Sequence, residues 1–260
     1  MRSQRYKYLC AFLLLWVPTV ATQAQSPDYN FRGIPATIEE LDLAFPLKGK
    51  YTGQLDIQTV TQGAYLGVNN NPFAYWQRLH FRPWLQYHPN KTVLLATSLS
   101  YMKRYAIPPT GAKRGDEVRF TVMANFTQPK RWGSLYEQVR GEIKNNRKDG
   151  TPGWTHVPRV RFRFGQNFNV KEEHQQKIVS YAEVMFKHQE HTKGFDIGRV
   201  FGGYSYTFNP KLVLTAGFIL QWQLKSNGTD VDVYFGPSAA MRWTFGNHKH
   251  PAPPPDPDID

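Results

Sequence analysis

The sequence predicts an all-β protein, a transmembrane antiparallel up-and-down β-barrel of about ten strands, eight or twelve being the alternatives if a segment has been merged or split. Three observations carry this reading. Between Tyr51 and Phe245 apolar and polar residues alternate in one segment after another. The connections between segments switch regularly between short and long. After the amino end, no stretch approaches the roughly 18 uncharged apolar residues of a spanning helix. Alternation is clearest at Leu212, Leu214, Ala216, Phe218, Leu220, Trp222 and Leu224, with Val213, Thr215, Gly217, Ile219, Gln221 and Gln223 between them. A period of two puts each set on its own face of a strand. The following segment repeats the pattern and ends on Phe245, an aromatic close typical of the last strand of an outer-membrane barrel.

Arg2, Arg5 and Lys7, the apolar run from Leu9 to Val20, and Thr22-Gln23-Ala24 read as a secretory signal peptide over residues 1–24. Its removal takes away three basic and no acidic residues, so the formal charge of +12 falls to about +9. Cys10 is the single cysteine and lies in that leader, which leaves the mature chain without a disulfide, a thiolate nucleophile or a cysteine metal site.

Residues 25–49 have a different texture. Thr37-Ile38-Glu39-Glu40 fits a capping box with Thr37 as N-cap, which predicts a helix of one or two turns from Ile38 to Leu43, bracketed by Pro35 and Pro46. This segment is expected to hang in the periplasm or to plug the lumen. The barrel itself is placed at residues 50–245, with strands at 50–61, 73–88, 92–106, 116–128, 133–146, 155–169, 177–190, 195–208, 211–225 and 230–245. Each exceeds the roughly 9 to 11 residues that cross a bilayer at a tilt. Short turns face the periplasm and longer loops the outside, so an even strand number predicts that both termini are periplasmic. Residues 246–260, rich in proline and aspartate, read as a disordered periplasmic tail in which His248 and His250 are solvated.

Aromatic residues make up 15% of the chain and gather near strand ends. Trp84, Tyr87, Trp132, Tyr206, Phe208, Trp222, Trp243 and Phe245 are assigned to girdles at the membrane interfaces. Where alternation is clean, the opposite face carries large charged side chains that a small soluble core would not tolerate unpaired. This argues against a soluble sandwich. The lumen is therefore assigned Arg78, His80, Arg82, Arg119, Arg140, Glu142, Arg159, Arg161, Arg163, Glu183 and Arg199, with Arg161 and Arg163 paired to Glu142 and Glu183. Stacked arginine–carboxylate networks can fill so narrow an interior and close it. Because arginines outnumber carboxylates there, an anion-selective lumen is the alternative.

No catalytic constellation is visible. Ser226-Asn227-Gly228 lacks a preceding histidine, and His80, His188 and His191 have no serine at suggestive spacing. Metal-spaced His/Asp/Glu clusters and a phosphate-binding glycine loop are absent from the sequence pattern, and no cofactor is expected. The basic residues are spread between lumen and turns, which does not suit a nucleic-acid partner.

The run Arg78-Leu79-His80-Phe81-Arg82-Pro83, the turn Tyr87-His88-Pro89-Asn90-Lys91, and Tyr136-Glu137-Gln138-Val139-Arg140-Gly141-Glu142 resemble an outer-membrane family known as domain of unknown function 2490. Pro158-Arg159-Val160-Arg161-Phe162-Arg163, Tyr181-Ala182-Glu183-Val184-Met185-Phe186 and Arg199-Val200-Phe201-Gly202-Gly203-Tyr204 are similar to that family's later strands. The resemblance covers roughly Tyr51 to Phe245 and implies a β-barrel in the outer membrane of a Gram-negative bacterium with no assigned activity. The proline-rich tail departs from such barrels, which end near the last strand. The expected function is non-enzymatic: a structural or accessory subunit of an outer-membrane assembly, secretion or transport complex. It would contact membrane lipids through the barrel, and other envelope proteins through the amino segment and the tail.

Overall fold

A computed structural model describes residues 29–170, 175–189, 192–225 and 227–246; the leader and the tail assigned above lie outside the described residues, apart from Gly246. Eleven strands close into one barrel: β1 (Asn30–Pro46), β2 (Tyr51–Gln62), β3 (Tyr75–Tyr87), β4 (Val93–Arg104), β5 (Gly115–Lys130), β6 (Gly133–Lys148), β7 (Thr155–Asn169), β8 (Gln176–Gln189), β9 (Thr192–Asn209), β10 (Leu212–Leu224) and β11 (Asp230–Thr244). Ten of them fall on the ten predicted segments, with ends shifted by no more than three residues. A 3-10 turn, Pro108–Thr110, sits in the connection after β4. Among the described residues no helix is long and apolar enough to cross a membrane, which says nothing about crossing by strands.

β1 is the element that the predicted strand count lacked. The segment expected as a capped helix, plug or periplasmic extension is a full wall strand, antiparallel to β2 and parallel to β11. The capping-box residues serve a strand instead. Thr37 donates its hydroxyl to Glu39 at 2.8 Å, while Glu40 points inward and accepts from Gln58 at 2.7 Å. Ile34, Ala36, Ile38, Glu40, Asp42 and Ala44 all turn into the barrel, a period of two that polar residues on both faces had hidden.

The consequence is an odd strand number, closed by a parallel pair in register from Asn30↔Asp230 to Ala44↔Thr244. Neighbouring strands elsewhere are antiparallel. Asn30 and Thr244 therefore lie at opposite ends of the barrel, and the inference from an even count that both chain ends share one side does not hold. The seam is tight at Gly236. Any Cβ there would collide with the carbonyl of Ala36, and the residue adopts φ 156°.

One end of the barrel carries the connections 47–50, 88–92, 131–132 and 210–211, and is called the turn end below. The other, the loop end, carries the connections 63–74, 105–114 and 149–154. Asn90 and Asn209 each fold a turn-end connection by accepting backbone N–H groups through Oδ1, at 2.8 to 3.0 Å. At the loop end, the connection after β2 tucks Tyr65 against Ile34, Ala36 and Tyr234, with the Arg32 guanidinium 4.9 Å from its ring centre. Burial, and then the negative charge of Asp232, raise the Tyr65 phenol above its ordinary value.

The barrel is polar inside and apolar outside. Leu85, Leu95, Leu99, Phe120, Phe126, Val139, Phe164, Leu214 and Phe218 are exposed on the outer face, while arginines, carboxylates and amides fill the interior. This inverts a soluble barrel, in which the apolar residues are enclosed.

Candidate functional site

Inward-facing positions of neighbouring strands lie side by side, so register decides which charges meet. Arg163 is opposite Glu183, Glu183 opposite Arg199, and Arg199 opposite Gln221. The contacts follow. Arg163 Nε reaches Glu183 Oε2 at 2.8 Å, Arg199 reaches Glu183 Oε1 at 3.0 Å, and Arg199 donates twice to Gln221, at 3.1 and 2.8 Å. One step along the barrel, Glu142 is opposite Arg159 and receives its Nε at 2.7 Å. Arg161 lies between the two carboxylates, 3.2 Å from Glu142 and 3.6 Å from Glu183. Arg119 joins from β5, bonded to Glu117 at 2.9 Å and 3.7 Å from Glu142.

All eleven residues assigned to the lumen from sequence lie inside the barrel and are buried. Nine of them draw together in the ion-pair and hydrogen-bond system just described or in its β3 branch. There Arg78 donates to Gln58 at 3.3 Å, and Arg82 reaches Asp56 at 2.9 Å and Glu40 at 3.9 Å. His80 and Arg140 are buried beside it, Arg140 with its guanidinium 5.5 Å from the Trp84 ring. Sequence reasoning missed Glu40, Asp42, Asp56, Glu117, Asp196, Asp232 and Arg242, all inside as well. Asp42 and Asp56 are direct neighbours across β1 and β2, and Arg242 of β11 closes on Asp42 at 2.9 Å. With these carboxylates counted, the arginine excess inferred for the lumen largely disappears.

Glu40, Asp42 and Asp56 bring one oxygen each to within 4.8 Å of one another, a spacing compatible with a cation. Arg82, Arg242, the Gln58 amide and the Trp84 indole N–H, 2.7 Å from Asp56, already engage all three carboxylates. That surrounding suits an ion-pair network better than the all-oxygen cage of a hard cation.

One residue assigned to the girdles faces the other way. Trp84 faces the lumen, 6% exposed, because it shares the phase of Arg78, His80 and Arg82 on β3. Tyr136, also near a strand end, is likewise buried inside, its ring lying over Gly165. Tyr87, Trp132, Tyr206, Phe208, Trp243 and Phe245 line the outside of the turn end. Their ring pairs are Phe45 on Phe245 at 4.8 Å, Tyr51 with Tyr87 at 5.0 Å, Trp132 on Phe168 at 4.5 Å, and Tyr206 with Phe208 at 4.6 Å. Trp222 points outward near the loop end and is half-buried.

Two cavities flank the network and share no lining residue. The loop-end cavity, about 590 Å³, is bounded by Arg104, Lys113, Lys144, Lys148, Lys187 and Lys225, with Asp196 and Asp232. The turn-end cavity, about 220 Å³, is bounded by Trp84, Tyr136, side-chain amides and Arg140. Between them Arg159, Arg161 and Arg199 are fully buried.

The outer wall of β1 and β2 carries a polar patch near mid-strand. Glu39, exposed near the middle of β1, accepts hydroxyls from Thr37 and from Thr59 of β2, both at 2.8 Å, and Thr37 lies 2.7 Å from Thr61.

No curated protein sequence matches the chain. Among solved structures, an outer-membrane expressed OmpT of Vibrio cholerae is similar with 9% identity and a TM-score of 0.36, over 73% of this chain and 61% of that one. The chain thus spans under two thirds of that protein's length. A family model described as protein of unknown function (DUF2490) matches residues 40–232, from β1 to β11. The chain belongs to the DUF2490 family.

Proposed function

We infer that this chain is an outer-membrane barrel, closed at mid-height by its own ion pairs, that works as a non-enzymatic structural or accessory subunit of an envelope complex. The observation that carries the reading is the position of Arg161. Wholly buried and held between Glu142 and Glu183, it sits where the loop-end and turn-end cavities would have to join. A guanidinium bridging two carboxylates in a water-poor interior is strongly held, and the hydrated path that conduction needs is filled by side chains.

Insertion in a membrane is supported by the apolar outer face and by the aromatic pairs around the turn end. The turn end faces the periplasm in this reading, as short connections do in bacterial barrels. Contact with other proteins is supported by Glu39. A carboxylate in the lipid-facing wall is costly, and charged or polar groups at that depth usually meet a protein partner. Such a partner would have a donor to offer Glu39, Thr59 and Thr61.

Single-channel recording tests the closed state. Purified protein in a planar bilayer is expected to be silent, and steady conductance from the unmodified chain would overturn it. A small anion channel is the second reading, favoured by the lysines and arginine around the loop-end cavity. It requires conductance that changes when Arg161 or Arg163 is neutralised. The accessory role is tested by mild-detergent purification of the tagged protein from envelopes; recovery of the barrel without any stoichiometric companion counts against it.

A further inference from the structure

We propose that the outer wall over β5 to β8 binds one lipid A, the phosphorylated, many-chained anchor of lipopolysaccharide, with its phosphates at the loop-end rim and its acyl chains in a groove below. The proposal rests on insertion in the outer membrane with the loop end outward. The groove centres on Gly141. Register places this glycine in an outward-facing row between Val122 and Val160, with Phe186 beyond; Phe120, Ile143 and Pro158 form the next row toward the loop end. Large side chains around a position that has none leave a depression of about 470 Å³. Glu142, Arg159 and Lys187 also border it, but their charged ends turn into the lumen, where Arg159 holds Glu142 and Lys187 holds Asp196; His188 adds an exposed imidazole to the border. The backbone does not call for glycine here. A Cβ would meet only a Val122 methyl, at 3.4 Å, and no other strand's backbone within 4 Å. A glycine inside a strand weakens it and commonly marks the close approach of a ligand or another backbone.

Toward the rim the wall becomes polar. Val118, Asn145 and His156 form the next row, with His156 hydrogen-bonded to Asn145. Beyond it Asp116 holds Lys103 at 3.0 Å and Arg147 at 2.8 Å, and accepts the Tyr101 hydroxyl at 2.7 Å. The Arg147 guanidinium also lies 5.2 Å from the ring centre of Trp154. The side chains of Lys103 and Arg147 remain 39% and 53% exposed, so each has donors left for a second anion. With Lys113, Arg114 and Lys148 exposed alongside, five cations stand against two carboxylates, Asp116 and Asp149, and the rim is left positive. Tyr101 and Trp154 are the aromatic types found at a membrane interface.

Lipid covers any apolar wall; what singles out this strip is fixed positive charge one leaflet away from a groove. Gly141 and Arg147 are six residues apart on β6. That is about 20 Å along a strand, or about 14 Å of depth at a tilt of about 45°, close to half of a hydrocarbon core of about 30 Å. A lipid whose phosphate meets Arg147 therefore reaches Gly141 with the inner part of its chains. The groove spans four strands, about 14 Å at their usual spacing, which suits an anchor with more than two chains. The loop end, outward in this reading, faces the leaflet in which lipopolysaccharide resides. β6 and β7 stand across the barrel from Glu39 on β1, so lipid here and a protein partner there do not compete.

Mass spectrometry of the intact barrel, released from an amine-oxide detergent, reads lipid retention. The probes are hexa-acylated lipid A, the same lipid without its phosphates, and phosphatidylglycerol. One lipid A per barrel is expected, held roughly tenfold more tightly than either comparison because two exposed cation–phosphate contacts are added. Equal retention of all three, preference for phosphatidylglycerol, or no retention overturns the proposal. Gly141→Leu fills the groove from the lipid side, so it should leave resistance to urea unchanged and weaken retention of lipid A about five- to tenfold. Lys103→Gln with Arg147→Gln should erase the preference for the phosphorylated form, and Arg147→Lys should keep most of it. Unaltered retention in both the groove variant and the double variant would place the lipid elsewhere and sink the idea. The membrane reading fails separately: recovery of the chain in the soluble fraction of the envelope would overturn insertion, whereas an inserted barrel that retains no lipid A overturns this site alone.

Discussion

Arg161 lies 3.2 Å from Glu142 and 3.6 Å from Glu183, so a single guanidinium ties together two carboxylates on strands that do not touch each other. The two ends of this bridge are not equally replaceable. Glu142 also holds Arg159, and Glu183 also holds Arg163 and Arg199. Removing Arg161 leaves both carboxylates with guanidinium partners. Removing Glu142 takes the nearer carboxylate from Arg159 and Arg161 at once, leaving Asp196 at 3.8 Å and Glu183 at 3.6 Å, and weakens the hold on Arg119. Glu142→Leu is therefore expected to cost about 3–5 kcal/mol, the range for an unbalanced buried ion pair, and Arg161→Leu clearly less. Urea titration of the barrel folded into vesicles, following tryptophan emission, measures both. The reverse order would mean that the network is not organised around its carboxylates.

The closing seam gives a second expectation. At Gly236 a methyl group meets the Ala36 carbonyl, and the backbone of β1 cannot retreat without opening the parallel ladder. Gly236→Ala should lower stability by roughly 1–3 kcal/mol, as overpacking does. Gly202→Ala is the control, since nothing lies within 4 Å of a Cβ there, and it should fall within about 0.5 kcal/mol of the unmodified chain. Equal effects at both positions would show that β1 is not pinned against β11 as described.

Much of this architecture was legible because a barrel that is polar inside and apolar outside writes its two faces into the sequence with a period of two. The ten strands from Tyr51 to Thr244 show it, and phase along a strand located every lumenal arginine that was named. β1 escaped for a local reason. Glu39 and Glu40 are adjacent, one facing out and one in, so the polar–apolar contrast vanishes over the stretch where a capping-box pattern also occurs. Trp84 was misplaced for the opposite reason, since nearness to a strand end outweighed phase. Its separation from Arg82 by a single residue already put it inside. Asp56 and Arg242 lay in the right phase of β2 and β11 and could have been found in the same way.

Glu39 tests the wall contact. Thr37 and Thr59 donate to its carboxylate, and the amide of Glu39→Gln keeps one carbonyl acceptor for them without the charge. If the wall meets lipid alone, Glu39→Val should raise stability, because the cost of a carboxylate against hydrocarbon disappears. Under the accessory role the valine variant folds equally well and loses its stoichiometric companion in a mild-detergent purification, and the glutamine variant keeps part of it. Full co-purification with valine at this position would show that the partner docks elsewhere.

The odd strand number makes a prediction about sidedness that an even barrel would not. β1 and β11 run in the same direction, so the loops at 63–74 and 149–154 lie at the end where β1 begins, and the turn at 210–211 lies at the end where β11 finishes. Cys10 is the single native cysteine and lies in the assigned leader, so an introduced cysteine reports alone in the mature protein. In intact cells a membrane-impermeant maleimide should label Asp149→Cys and leave Lys211→Cys unlabelled until the outer membrane is opened. An epitope placed before Asn30 should be reached from outside, and one placed after Gly246 only from the periplasm. Labelling of both chain ends from the same side would break the parallel closure, because no arrangement of eleven strands in this register brings Asn30 and Thr244 to one face.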